Sequence, residues 1–146
     1  MPVNLGAFAI VRNVAGSVLL CHRRDMDLWD LPGGKVEAGE APWEAAIRET
    51  REEVGMSVEV QRLTDVTWKP KDDELVFTFE CKLVGGTPEL SDEADAIAYF
   101  DPDDLPANLS PAKRERILGF VAQPDRTRMR TRTAPSVREL LRRGEL

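Results

Sequence analysis

Between a Pro-Gly-Gly break and a single glycine, this chain sets several carboxylates side by side on one helix. Leu31-Pro32-Gly33-Gly34 reads as a sharp turn, and Pro42 to Val54 as the clearest helix. Pro42 suits the first turn, where its missing N–H would be unpaired anyway. Gly55 fits the stop, where a left-handed residue is often needed. Trp43, Ala46, Ile47, Thr50 and Val54 follow helical spacing and define the expected buried stripe. At about 100° per residue, with Trp43 at zero, that stripe stays within about 60° of zero. Glu52 then falls near ~180°, Glu49 near ~240° and Glu53 near ~280°. Glu49 precedes Glu52 by three positions and Glu53 by four, so they are true surface neighbours.

Such crowding is unfavourable by itself. Like charges at these spacings cost a few tenths of a kcal/mol per pair, and the helix dipole disfavours acids in the last turns. Arg48 and Arg51 offset them only locally. A hard cation reverses the sign of the problem, and magnesium commonly joins carboxylates to substrate phosphates. The competing reading is a solvated acidic face. Gly33 and Gly34 weigh against it, because a glycine-rich loop beside a carboxylate helix can hold phosphate oxygens and metal together.

The segment Gly34 to Met56, GKVEAGEAPWEAAIRETREEVGM, resembles the Nudix box. That box is a glycine, five residues, Glu, seven residues, Arg-Glu, an aliphatic residue, any residue, Glu-Glu, any residue, Gly and an aliphatic residue. Gly34, Glu40, Arg48, Glu49, Glu52, Glu53 and Gly55 fall in place, with Met56 at the last apolar position. Thr50 departs from the usual aliphatic residue, a change that touches packing more than metal chemistry. The resemblance implies an α/β (α+β) fold, the Nudix αβα sandwich with a mixed β-sheet flanked by helices. It implies a pyrophosphohydrolase that uses Mg2+, or Mn2+. Glu49, Glu52 and Glu53 would be the metal-binding carboxylates, with Gly34 offering backbone. Arg48 would orient a glutamate by charge-assisted bonding. Glu40 would steady the turn from loop to helix, and Gly33 and Gly55 would support the box. The metals would neutralise pyrophosphate oxygens and lower the pKa of a water. In this family the general base comes from the box or from a later loop. Glu93, just before a strand, is the candidate for an additional carboxylate; a plain loop acid beside Asp92 and Asp95 is the alternative.

The surrounding pattern is compatible with that fold. Ala7 to Val11 and Ser17 to His22 read as strands joined by the turn Asn13 to Gly16, a possible hairpin. Ser57 to Trp68 reads as a strand. The period-two alternation of Leu75, Phe77, Phe79, Cys81 and Leu83 gives another, and Ala94 to Phe100 a shorter one. Gly85 to Pro88 is a turn. Ser110-Pro111 opens a second helix with Ile117, Leu118 and Val121 as its apolar side. Strands outnumber helices, which suggests a mixed sheet flanked by helices.

Composition narrows the class. A chain of 146 residues, 42% hydrophobic and 32% charged, suits one soluble core. No run approaches the roughly 18 apolar residues of a membrane span, and the start carries no charged leader, so the expected location is the cytoplasm. Cys21 and Cys81 sit in apolar runs and read as buried free thiols. The net charge of −6 is uneven: residues 125–146 hold seven arginines against three acids, leaving 13 basic and 23 acidic residues in the rest. Residues 1–124 are therefore read as the catalytic domain and 125–146 as a basic tail, packing on the domain or on a partner subunit in a homodimer. The acidic body argues against general nucleic-acid binding.

The expected substrate is a small nucleotide: a nucleoside diphosphate linked to another group, such as ADP-ribose or a nucleotide sugar, or a nucleoside triphosphate, oxidised forms included. Pro70 lies 14 residues beyond Met56, near the position of a proline common in the ADP-ribose branch. The coenzyme A branch's extra upstream motif is absent. Trp29 and Trp68 are candidates to stack a base, and Arg23 and Arg24 to meet phosphates, although packing and solvation are the plainer readings. Two alternatives stand beside the enzyme: a nucleotide sensor without activity, and an RNA-directed hydrolase using the arginine-rich tail.

Overall fold

The structure is a computed structural model and describes residues 2–145. Its strands are β1 (Asn4–Val11), β2 (Val18–Arg23), β3 (Trp29–Asp30), β4 (Gly33–Lys35), β5 (Met56–Lys69), β6 (Glu74–Gly86), β7 (Ala94–Phe100) and β8 (Arg128–Thr131). Its helices are α1 (Pro42–Val54), α2 (Pro111–Ala122) and the short α3 (Val137–Arg142). Five strands form a mixed sheet in the order β4-β1-β6-β5-β8, and three form an antiparallel sheet in the order β3-β2-β7. In the large sheet β1 runs parallel to β6, and β8 parallel to β5.

Period-two alternation explains why helices cover both faces. On β1, Ala7, Ala9 and Val11 enter one buried cluster, which also holds Ala45, Ala46 and Val54 of α1. Ile10 of the same strand enters a second cluster with Ile117 and Phe120 of α2. Strand β2 divides likewise, Leu19 and Cys21 to the first cluster and Val18 and Leu20 to the second. A strand buried on both faces reads as a continuous apolar run, as Ala7 to Val11 does. The result is the expected αβα sandwich, with two sheets rather than one.

Three expectations are corrected. Strands β1 and β2 are not a hairpin: the Asn13–Gly16 turn forms, but a single bridge, Arg12 to Val18, joins them. Asn13 Oδ1 accepts from the N–H groups of Ala15 and Ser17, which tightens the turn while the strands part into different sheets. Second, Gly33 and Gly34 do not only break the chain; they form β4, antiparallel to β1. Third, α2 buries Arg116, Ile117, Gly119 and Phe120, whereas Leu118 and Val121 are exposed. The helix is turned so that Arg116 meets Asp65.

The basic tail is built into the large sheet. Arg132 N donates to Trp68 O at 2.9 Å, and Thr127 Oγ1 to Leu63 O at 2.8 Å. Asp65, only 2% exposed, pairs with Arg130 at 2.8 Å, while Arg116 stands 3.9 Å away. Removing one partner of a buried ion pair leaves a charge uncompensated. Arg130→Ala is therefore expected to lower stability by about 3 kcal/mol, measured as a reduced urea midpoint with an unchanged slope.

Candidate active site

Helix α1 carries the chemistry because of how it is rotated. Trp43, placed at the centre of the expected stripe, is 55% exposed. The buried residues are Ala45, Ala46, Glu49, Thr50, Glu53 and Val54. Two carboxylates thus lie inside the face that packs on the sheets, Glu49 at 9% exposure and Glu53 at 8%. Thr50 meets the demands of this position by donating its hydroxyl to Ala46 O at 2.7 Å.

The glycine strand lets β1 approach on one side and Glu49 on the other. A Cβ on Gly34 would come within 2.9 Å of the Glu49 carboxyl, and one on Gly33 within 2.3 Å of Ala7 O. Gly33 N donates to Glu53 Oε2 at 3.4 Å. Gly55 ends the helix at φ 72°, in the left-handed region.

Arg48 fixes the outer side. Its Nε donates to Glu40 Oε2 at 2.7 Å and its Nη2 to Glu40 Oε1 at 3.1 Å, a two-point grip. Nη2 also reaches Lys35 O at 3.0 Å. Nη1 donates to Glu49 Oε1 at 3.0 Å and Glu52 Oε2 at 3.1 Å. This guanidinium, with its hydrogen bond first, holds the Glu40 carboxyl below its ordinary pKa.

Glu93 arrives from the loop before β7. Ser91 ties that loop to the end of α1 by donating to Glu53 O at 2.8 Å, and its oxygen accepts from Glu93 N and Ala94 N at 3.2 Å. Arg24 adds a second tie, its Nε donating to Ser91 O at 2.7 Å. One carboxylate oxygen each from Glu49, Glu53 and Glu93 lie within 4.8 Å of one another. They stand in a cavity of about 650 Å³ whose lining includes Arg23, Arg24, Lys35 and Lys113. Burial first, and the adjacent Glu49 carboxyl second, push the Glu53 pKa up to about 10. An all-oxygen, mutually repelling donor set, two of its three carboxylates largely withdrawn from water and Glu93 open to it, fits a hard divalent cation.

A family model described as NUDIX domain matches residues 2–120. The chain belongs to the Nudix family. It is a Nudix pyrophosphohydrolase. A Bacillus subtilis protein provisionally named an 8-oxo-dGTP diphosphatase is 35% identical over 116 residues, 79% of this chain and 78% of that one. A Streptomyces ambofaciens MutT-like protein is 34% identical over 103 residues, 70% of this chain and 67% of its own length. The crystal structure of an ADP-ribose pyrophosphatase from Streptococcus suis superposes with a TM-score of 0.73 at 24% identity, over 90% of this chain and all of that one. Among the described residues no helix is long and apolar enough to cross a membrane.

In this Nudix hydrolase, Glu49, Glu53 and Glu93 come together with Gly33, Gly34, Glu40 and Arg48 around them. Glu52 does not join the three; its side chain is half exposed and held by Arg48. Arg23 lines the cavity. Trp29 does not: it packs edge-on against His22 and Phe100 at 5.3 and 4.9 Å. Trp68 sits in β5, paired with Leu75 and Thr131. Sequence reasoning missed Asp30 and Lys113, 3.3 Å apart on the cavity wall, with Lys113 4.0 Å above the Phe8 ring. The pair joins α2 to the β3 strand, a contact with no local signature. It also missed Cys21, whose thiol lies 3.7 Å from Glu53 Oε2; burial pushes that thiol well above its ordinary pKa.

Because the folded Glu53 pKa is raised, the unfolded chain releases this proton above about pH 4.5 while the folded protein keeps it until about 10. Metal-free stability is therefore lost as pH rises between those values. Glu53→Gln is expected to melt above the metal-free wild type, with a gap that widens from about pH 5 to 9. It should also lose the wild type's rise in Tm on adding magnesium. Thermal melts across pH, with and without the ion, check both.

Proposed function

We propose that this Nudix hydrolase cleaves the pyrophosphate bond of a nucleoside triphosphate, oxidised purine nucleotides included, with magnesium as its metal. The reading is carried by one observation: Glu49, Glu53 and Glu93 meet in a cavity lined also by Arg23, Arg24, Lys35 and Lys113. Carboxylates collect the cation, and the arginines and lysines balance phosphate charge. The name of the Bacillus subtilis relative, matched over 79% of this chain, supports the triphosphate. A nucleoside diphosphate joined to a sugar, such as ADP-ribose, is the second reading; it is favoured by Pro70 and by the named activity of the Streptococcus suis neighbour.

Glu49 and Glu53 would hold the metal, with the Gly34 backbone beside them. A magnesium ion held there would neutralise pyrophosphate oxygens and make a nearby water more acidic. Arg48 keeps Glu49 in its rotamer while Glu40 keeps Arg48 in place. Glu52 restrains Arg48 from the solvent side and completes the acidic set. Glu93, exposed and on a tied loop, is the carboxylate free to accept the proton of the attacking water. The loop ties at Ser91 and Arg24 limit how far it can stray.

The sensor alternative loses support from the intact set of acids. The RNA-directed alternative loses support from the tail, because Arg130 and Arg132 are engaged by Asp65 and Glu115 of the domain.

The test is a magnesium-dependent hydrolysis panel of normal and oxidised nucleoside triphosphates, ADP-ribose and nucleotide sugars, with products identified. Turnover of triphosphates, stopped by a chelator and by Glu53→Gln, is the expected result; binding without turnover across the panel would sink the enzyme reading for this site. Glu93→Gln is expected to lower kcat by about 10²–10⁴-fold with a much smaller change in KM, since the amide keeps the side chain's shape but cannot take up a proton. A variant with unchanged kcat removes Glu93 from the base role.

A further inference from the structure

We propose that the C-terminal segment, residues 125–145, is the outer wall of the substrate cleft and grips the nucleoside end of the substrate through α3. The proposal rests on the nucleotide reading above and extends it to chain beyond residue 120, where the family match ends.

A second cavity, of about 790 Å³, opens beside the carboxylates. It shares Phe8, Arg23, Asp30, Gly34, Lys35 and Lys113 with the first, so the two are one continuous cleft. Its remaining lining includes Arg132, Pro135, Ser136, Val137 and Arg138 from the tail, and Met26 and Leu28 from the loop after β2. The tail therefore closes a space that the family module alone leaves open.

The wall is anchored, not draped. Strand β8 pairs with β5 from Asp65 to Trp68. Arg130 is held by buried Asp65, and Arg132 by Glu115. Ser136 then caps α3 by accepting from Glu139 N at 3.2 Å. With Arg130 and Arg132 committed to acids of the domain, Arg138 is the tail cation turned to the cleft. Its positive field reaches Asp25 of the loop after β2, helping, after Arg23, to keep that carboxyl below its ordinary pKa. Asp25 lines the carboxylate cavity.

The chemistry of the two ends assigns the substrate's direction. The phosphates belong at the carboxylates, with Arg24 and the cation. The other cavity sets apolar surface from Phe8, Met26 and Val137 among charged groups, Asp30, Arg138 and the Lys69–Glu74 pair included. An apolar face to stack on and polar groups to orient it are what a nucleobase and sugar require.

The test uses the full-length protein with Val137→Asp and Arg138→Glu, which leave β8 and the Arg130–Asp65 pair in place. Arg143→Glu, at the end of the same helix and outside the cleft lining, is the control. Hydrolysis of a nucleoside triphosphate is compared with that of methyl triphosphate, which has the phosphates and no nucleoside. Both cleft variants are expected to lose about tenfold or more in kcat/KM for the nucleotide, chiefly through KM. Methyl triphosphate should be cleaved as by the wild type, and the control should match the wild type on both. Equal losses on the two substrates, or none, would overturn the proposal. Calorimetric binding of an α,β-methylene nucleoside triphosphate separates the two readings. If the wild type binds it but cleaves no nucleotide, the hydrolase reading fails alone, and weaker binding by the cleft variants still supports the wall. If the cleft variants bind as tightly as the wild type, the wall fails alone. A wild type that neither binds nor cleaves nucleotides overturns both.

Discussion

The repulsion between Glu49 and Glu53 is the constraint around which the rest of this molecule is arranged. Two carboxylates one helical turn apart, each under a tenth exposed, can both ionise only if something positive joins them. The protein supplies part of that positive charge in advance. Arg48 touches Glu49 and is itself fixed by Glu40 and the Lys35 carbonyl. It leaves Glu53 without a cation, facing the Gly33 N–H at 3.4 Å and the Cys21 thiol at 3.7 Å. The deficit is what a divalent ion would fill. A helix face so costly by itself is tolerable because Ala45, Ala46 and Val54 anchor α1 in an apolar cluster with β1, β2 and β5. The site uses stability generated elsewhere in the sandwich.

The box was legible because its residues are tied to one another by local geometry. Glu40, Arg48, Glu49 and Glu53 are near neighbours in sequence and contact one another in space, so a pattern of spacings carries their arrangement. The rotation of α1 was not legible, for a physical reason. Amphipathic reasoning assigns carboxylates to water and tryptophan to the core. Here Trp43 faces out and Glu53 faces in, an arrangement whose cost a cation outside the pattern would offset. Binary patterning thus fails at the position where function overrides it. Arg116 on α2 repeats the case, buried against Asp65 where Leu118 was the natural choice for the core.

The fold was legible in its elements more than in its pairings. Alternation in Leu75 to Leu83 and the apolar runs at Ala7 to Val11 and Ala94 to Phe100 correspond to strands β6, β1 and β7. Which strands pair is set by contacts distant in sequence. Strand β1 pairs with β6 across 70 residues, Asn4 against Glu74, and no local signal announces it. The turn at Asn13 was real and still misleading, because a tight turn fixes the direction of the chain and not the sheet it joins. Glu93 lay between these extremes. Its position before a strand suggested it, whereas the Ser91 and Arg24 ties that hold its loop against the end of α1 are visible only in three dimensions.

Chemistry and specificity are consequently written in different parts of this chain. The carboxylates that would handle the metal and phosphates come from one helix and one loop, and nearly all of their spacing is fixed by the box. The groups that would meet the rest of the substrate come from β1, the loop after β2, the first turn of α2 and the tail, which converge only through sheet topology. A relative can share the box and differ at Phe8, Asp30, Lys113 or Arg138 without disturbing metal handling, because none of these supports Glu49 or Glu53. Resemblance across the box is thus strong evidence for the reaction and weak evidence for the substrate. The substrate of this enzyme has to be argued from the cleft walls. There the tail matters most, since its ion pairs bind it to the domain while its helix faces the cavity.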